Sequence, residues 1–389
     1  FKVRGGQHEI RAGSWITIDG ATGEVILGEV ATLPAAPPQA FGVLMGWADD
    51  CRALGIEGNA DNAKDVVMAL ENGAEGIGLC RTEHMFLQED HLGLVREMVL
   101  AYDARTRRNV VEHILPVQRA DFGKLLAATG STPVAIRLLD LPLHDLMPGD
   151  TQDLEEVAER LESTVLQVAS RARMLKATNP VLGHRGARLG LTFPELYEVQ
   201  IRALVEAIID GGGQADVSLV LPLVTCAEEV KRLKRRIQTM VRKVCSERSS
   251  GDVSFKIGAM VESPRACLIA DQIAGEADFI LFGTTDLTIS TFAIHRDDAG
   301  RYLPFYVENG VLPADPFVKL DLQGVGGLIK IGIAKARAGD PQYRCGLAGG
   351  HTADADTISW CHDVGINYIT CAPHRVPFAR VAAAQATGR

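Results

Sequence analysis

The sequence predicts an α/β protein whose main body is a (β/α)8 barrel, preceded by a short β segment. Three observations predict it. From about Phe41 onward, short apolar runs alternate with longer helical patterns, the mark of a parallel sheet joined by helices. Eight such runs stand out, and eight is the strand number that closes a (β/α)8 barrel. Charged residues sit at the C-terminal ends of several of those runs, the face on which such barrels build their sites.

The opening stretch Gly13–Leu27 alternates apolar and polar residues around Asp19-Gly20-Ala21-Thr22-Gly23 and predicts a β-hairpin. A lone hairpin cannot bury a core, so the rest of its domain is expected elsewhere, and the opening Phe1 is expected of a piece of something longer. Pro34-Ala35-Ala36-Pro37-Pro38 is stiff and predicts a linker. The expected division is 1–33, a linker over 34–46, and a barrel over 47–389. The candidate strands are Gly55–Ala60, Gly76–Arg81, Val134–Asp140, Pro180–His184, Ser218–Val224, Phe255–Glu262, Phe279–Asp286 and Cys345–His351. The clearest helices are Asp61–Asn72, Asp153–Met174, Pro194–Ile209 and Ala227–Val244. The long Asp153–Met174 pattern and the stretch Thr291–Lys330 read as insertions on the barrel.

Composition narrows the function. The 389 residues carry 40 Lys+Arg against 49 Asp+Glu, a formal charge of −9, which argues against a general nucleic-acid or anionic-membrane binder. Apolar runs are strand-sized, far short of the roughly 20 residues that span a bilayer. The 8 cysteines lack metal-finger spacing and read as reduced thiols. A soluble, cytoplasmic protein is expected.

Arg81 and Glu83 end the second candidate strand, and Arg137 and Asp140 the third. Arg185 and Arg188 follow the fourth, and Glu262, Asp286 and His351 end the last three. One such residue would be an ordinary solvated loop charge; the repetition at one end of successive strands is harder to assign to chance. Two carboxylates from neighbouring strands, Glu262 and Asp286, with no His pair or positioned Cys, suit Mg²⁺ or Mn²⁺ better than zinc. The arginines suit an anionic, phosphorylated substrate. Gly283, Thr284 and Thr285 before Asp286 offer backbone N–H groups to a carboxylate.

Ordered motifs run along the chain: Gly76-Ile77-Gly78-Leu79-Cys80-Arg81-Thr82-Glu83-His84-Met85-Phe86, Ile136-Arg137-Leu138-Leu139-Asp140 and Asn179-Pro180-Val181-Leu182-Gly183-His184-Arg185-Gly186-Ala187-Arg188. Gly258-Ala259-Met260-Val261-Glu262-Ser263-Pro264-Arg265, Phe282-Gly283-Thr284-Thr285-Asp286-Leu287-Thr288 and Cys371-Ala372-Pro373-His374-Arg375-Val376-Pro377 follow. Together they resemble the PEP/pyruvate-binding domain of the pyruvate, phosphate dikinase family. The resemblance implies a TIM barrel and an opening hairpin left from a swivelling phosphohistidine domain. It implies phosphoryl transfer between a carrier histidine and the enolate oxygen of pyruvate, with partner phosphohistidine and ATP-grasp domains outside this chain and a homodimer. Glu262 and Asp286 would hold Mg²⁺, Arg81, Arg137 and Arg185 would clamp the phosphoryl group, and the backbone at Gly283–Thr285 would orient the carboxylate. His84 and His184, inside the motifs, would hydrogen-bond residues at the barrel mouth.

The chain departs from that pattern at Gly346-Leu347-Ala348-Gly349-Gly350-His351. The family carries its acid/base cysteine where this chain has Ala348. A methyl group exchanges no proton, and Cys345, an odd number of residues away on a strand, points to the opposite face. Thr285 also stands where the family usually has asparagine. Ala348 and His351 are therefore expected to line an altered substrate site. A PEP-binding pseudoenzyme and, further off, a Mg²⁺-dependent enolate lyase or aldolase are the alternatives.

Overall fold

The computed structural model describes residues 2–3, 6–7, 10–20, 22–32, 39–86, 89–176, 183–213 and 215–388. The chain forms two compact units, Phe1–Gly46 and Trp47–Arg389. In the first, Ile16–Asp19 pairs antiparallel with Glu24–Leu27, as the alternation around the glycine-rich turn predicts. The Pro34–Pro38 segment expected as a linker lies outside the described residues. The remainder of the expected linker, Gln39–Gly46, is instead the start of a helix, Gln39–Cys51, because no proline follows Pro38 to interrupt it.

The second unit is a closed barrel of parallel strands. In chain order these are Gly55–Asn59, Ile77–Arg81, Val134–Arg137, Val217–Leu221, Lys256–Val261, Phe279–Gly283, Cys345–Ala348 and Tyr368–Cys371. Seven fall within the predicted runs give or take an end residue. The predicted strand Pro180–His184 is not among them. Residues 180–182 lie outside the described residues, and Gly183 and His184 form a bend leading into the helix Gly186–Thr192. The place is taken by Tyr368–Cys371, a short aromatic and β-branched run that pairs with Cys345–Ala348 on one side and Gly55–Asn59 on the other.

Four predicted strands end three residues early, at Arg137, Leu221, Gly283 and Ala348, and the last two matter most for the site. Phe279–Gly283 stops at Gly283, and Thr284–Phe292 is helical. Cys345–Ala348 stops before a 3₁₀ turn, Gly350–Ala353. The single helix expected over Asp153–Met174 is two, Thr151–Arg160 and Val165–Leu175. Glu162 adopts a left-handed conformation between them, and Thr164 opens the second helix with a capping box completed by Gln167.

Strand side chains alternate between two environments. On the seventh strand Cys345 and Leu347 pack outward against the helices, where the main core lies. Ala348 faces inward with Leu79, Ala135, Val220, Met260, Phe279, Leu281 and Tyr368. Two aromatic rings fill the barrel's lower interior, each lying over a glycine on the adjacent strand. Phe279 is in register with Gly258 and Tyr368 with Gly346, and a Cβ on either glycine would strike the facing ring. Glu57, an interior residue of the first strand, is reached by Arg344 at 2.6 Å. Burial pushes its carboxyl up to about 7, with Arg344 opposing and Glu75 adding to the rise.

Two outcomes follow from this packing. Gly346→Ala overpacks the interior and lowers stability by roughly 1–3 kcal/mol, read as a shifted urea midpoint. For Glu57 the folded value is raised above the ordinary 4.5, so its contribution is complete below pH 4.5 and lost as pH rises through 7. Relative to Glu57→Gln, the wild-type chain therefore loses stability between pH 5 and pH 8; equal midpoint differences at the two pH values would refute this.

Candidate active site

Site residues rise from the ends of the barrel strands because an inward-facing position one step past the last filled layer opens onto the mouth. Arg81 and Arg137 end the second and third strands and are paired in register. Arg185 precedes the helix Gly186–Thr192. Its following residue, Gly186, adopts a φ of 58° in a place where a Cβ would meet Leu223, the Pro222 carbonyl and Asp140, so only glycine brings the backbone this close. Glu262 follows the fifth strand and Asp286 lies in the first turn of Thr284–Phe292.

Asp140 ties these parts together. It is buried, and it receives Arg185 through Nε at 2.8 Å and Nη2 at 2.5 Å. Arg137 Nη1 lies 3.5 Å from the same carboxylate. Arg185 turns its Nη2 also to Asp286, at 3.0 Å, and Arg137 pairs with Glu83. Arg81 is held at the rim, donating its backbone N–H and its Nη2 to Asp61, each at 2.7 Å. Asp61 in turn contacts His84 Nδ1 at 2.6 Å. His184, by contrast, bonds Thr192 and serves no mouth residue, and Arg188 donates to the Gly183 carbonyl.

Glu262 accepts the Leu223 N–H at 2.9 Å on one oxygen. Leu223 adopts φ 49°, a conformation costing roughly 1–2 kcal/mol for a non-glycine residue. The other oxygen of Glu262 occupies space beside Gly283, where a Cβ would come within 2.5 Å. Carboxylate oxygens of Asp140, Glu262 and Asp286 lie within 4.8 Å of one another. Burial, then the charges of Asp286 and Asp140, push the Glu262 carboxyl up to about 8, against the pull of Arg137 and Arg185. Asp140 is likewise raised by burial, with its arginines opposing. For Arg137 and Arg185 burial works against the charged form but is outweighed by the surrounding carboxylates, so both are held more firmly protonated than usual.

Arg81, Arg137, Arg185, Glu262 and Asp286 line one cavity of about 540 Å³ with Gly283, Thr285, Ala348 and Gly349. Thr284 is buried behind it. Its hydroxyl sits 3.2 Å from the Ala348 carbonyl and 2.8 Å from His351 Nδ1. The first N–H groups of its helix have no intrahelical acceptor and carry the positive end of the helix dipole. Gly349, at φ 125°, lies so close to Thr284 that a Cβ would strike its hydroxyl. His351 is also buried; its Nε2 is 2.9 Å from the Pro316 carbonyl, and burial lowers its pKa. A neutral imidazole donating from Nε2 and accepting at Nδ1 satisfies both contacts. His351 thus clasps the mouth together from behind and does not open onto this cavity.

All three predicted arginines and both predicted metal carboxylates come together. Sequence reasoning missed Asp140 as the third carboxylate of the cluster and Arg375, which lines the same cavity from beyond the eighth strand. The signal for Asp140 was its place three residues after Arg137 in a strand-ending motif; the signal for Arg375 was hidden with the eighth strand. Among the described residues no cysteine lines this cavity, and Cys345 faces the helices.

The family model for the PEP-utilising enzyme, PEP-binding domain matches residues 36–387. The chain is 44% identical over 385 residues to pyruvate, phosphate dikinase 1, chloroplastic, of Arabidopsis thaliana, covering 98% of this chain and 40% of that protein. It is 43% identical over 382 residues to pyruvate, phosphate dikinase of Rhizobium meliloti, covering 97% and 42%. With the Clostridium symbiosum pyruvate, phosphate dikinase it shares 40% identity over 385 residues, covering 98% and 44%. The chain spans about two fifths of the length of these curated relatives. With the barrel, the carboxylate cluster and the arginines at its mouth in place, the chain belongs to the family of PEP-utilising enzymes, in their PEP-binding domain.

Proposed function

We propose that this chain is the substrate-binding barrel of a Mg²⁺-dependent phosphotransferase, moving a phosphoryl group between a carrier histidine and the enol oxygen of a small 2-oxo acid. One observation carries it: Arg81, Arg137, Arg185 and Arg375 line a single cavity with Glu262 and Asp286, whose carboxylates sit within 4.8 Å of one another and of Asp140. The carrier histidine and the nucleotide-using domain are assigned to partner domains outside this sequence. Residues 1–33 are read as the tail of the carrier's swivelling domain, and a homodimer is part of the same reading.

The donor set suits a hard divalent ion. It is all oxygen, and Glu262 is raised to about 8 by burial and neighbouring carboxylates, a charge excess that a cation relieves. Arg185 holds Asp140 at 2.8 and 2.5 Å and Asp286 more loosely, at 3.4 and 3.0 Å, and only Glu262 and Asp286 of the three line the cavity, so these two would be the ligands and Asp140 the bracket for the arginines. Mg²⁺ there, or Mn²⁺ in its place, supplies Lewis-acid polarisation of the substrate's carboxylate and carbonyl oxygens.

The chain's own residues do the remainder. The N–H groups at the start of Thr284–Phe292 receive the substrate carboxylate. Arg81, Arg137 and Arg185, fixed in advance by Asp61, Glu83 and Asp140, meet the phosphoryl oxygens. Preset donors lower the barrier because they need no reorganisation as charge moves. The P–N bond to the carrier breaks as the P–O bond to the enol oxygen forms. Ala348 can neither give nor take a proton at the substrate's third carbon. This favours an acceptor already presenting its oxygen, and it is also the observation that favours binding without turnover of pyruvate.

Glu262→Gln and Asp286→Asn each weaken Mn²⁺ binding at least about tenfold, followed by electron paramagnetic resonance; unchanged affinity in both would remove the metal from the site. Ala348→Cys creates slow deuterium uptake into the methyl group of pyruvate with Mg²⁺ in D₂O. Proton NMR reads it, and the wild-type chain shows none.

A further inference from the structure

A second cavity of about 440 Å³ adjoins the first, and Thr285, Gly350 and Ala353 line both. These are small groups, and a Cβ placed on Gly350 would meet no atom within 4 Å, so the described chain leaves the passage between the cavities open. The far wall is Phe317, Val318 and Lys319, from the stretch that the sequence marks as an insertion, together with Arg296.

The polar lining sorts by what is already engaged. His351 has both ring nitrogens committed to Thr284 and Pro316. Asp354 caps the helix Ala355–Asp363, accepting from the Thr357 N–H and hydroxyl at 2.9 Å each. Lys319 makes an exposed pair with Asp356 at 3.4 Å, and an ammonium has three donors. Asp354 spends one carboxylate oxygen on that cap and keeps its charge, so the lining sets Arg296 and Lys319 against one carboxylate, and the donors it can offer an anion are those two cations. A three-carbon acid held under Arg137 and Arg185 would have no use for it.

We propose that the substrate of this site is a 2-oxo acid, or its enol phosphate, that carries a second anionic group beyond its third carbon. Resting on the function proposed above, the head lies over Glu262 and Asp286, and the tail crosses Gly350 to Arg296 and Lys319.

The test is calorimetry on this chain with Mg²⁺ and three probes: oxalate for the head alone, 2-oxoglutarate for head and anionic tail, and 2-oxopentanoate for an uncharged tail of equal length. Oxalate binds, and 2-oxoglutarate binds about tenfold more tightly than 2-oxopentanoate, the ratio expected of a charge-assisted hydrogen bond. Lys319→Ala with Arg296→Ala collapses that ratio towards one and leaves oxalate affinity within about twofold, whereas Lys319→Arg retains the ratio. If oxalate binds and the two long acids bind alike, or if the double variant keeps the preference, the tail site is refuted and the head site stands. If oxalate does not bind, the head site is refuted and the tail site with it.

Discussion

A buried carboxylate shared by two arginines is the constraint on which the barrel's mouth depends. Three ionised side chains removed from water would cost several kcal/mol each if left apart. Placed as Asp140, Arg137 and Arg185 are, each charge meets its opposite, and Glu83 and Asp286 join the set, with only Arg137 Nε and Glu83 Oε2 of these groups left buried without a hydrogen bond. The arginines are thereby rigid before any ligand arrives. Their geometry is set by the third strand and by the helix after Gly186, which is why Gly186 must come so near Asp140.

The floor beneath that network is built by a different principle. Phe279 and Tyr368 plug the barrel, and each needs a glycine opposite it in the neighbouring strand. Protein interiors are packed without slack, so the plug holds the inward residues above it, including Met260 and Ala348, at fixed height. The charged network above and the aromatic plug below are independent in chemistry but share strands. Precision at the mouth is thus inherited from packing that touches no ligand.

Much of this was legible in the sequence. Runs of Val, Ile and Leu ending in Arg, Glu or Asp gave both the strands and their polarity, so the convergence of Arg81, Arg137, Glu262 and Asp286 followed once a barrel was assumed. Pro180–His184 misled because a short apolar run before His-Arg-Gly resembles a buried strand, and periodicity alone cannot tell such a run from a bend. Tyr368–Cys371 was overlooked because it is only four residues long and runs directly into a motif noticed for other reasons. Early strand ends at Gly283 and Ala348 were invisible for a physical reason. The contacts that stop them, of the single Thr284 hydroxyl with the Ala348 carbonyl and His351 Nδ1, are tertiary. Asp140 became part of the carboxylate cluster only through the folding of Arg185 onto it, a contact between positions 45 residues apart.

The seam of the barrel carries a consequence for how the molecule is made. Tyr368–Cys371 joins directly to Gly55–Asn59, so the barrel's first strand waits for its last before its outer edge is paired. Until then the sheet has two bare margins, one on the first strand and one on Cys345–Ala348, and unpaired margins of this kind recruit other chains. A ribosome that stalled before Tyr368 would leave an unsealed cylinder, with Arg81, Arg137, Glu262 and Asp286 already in the chain and no means of shielding its sides.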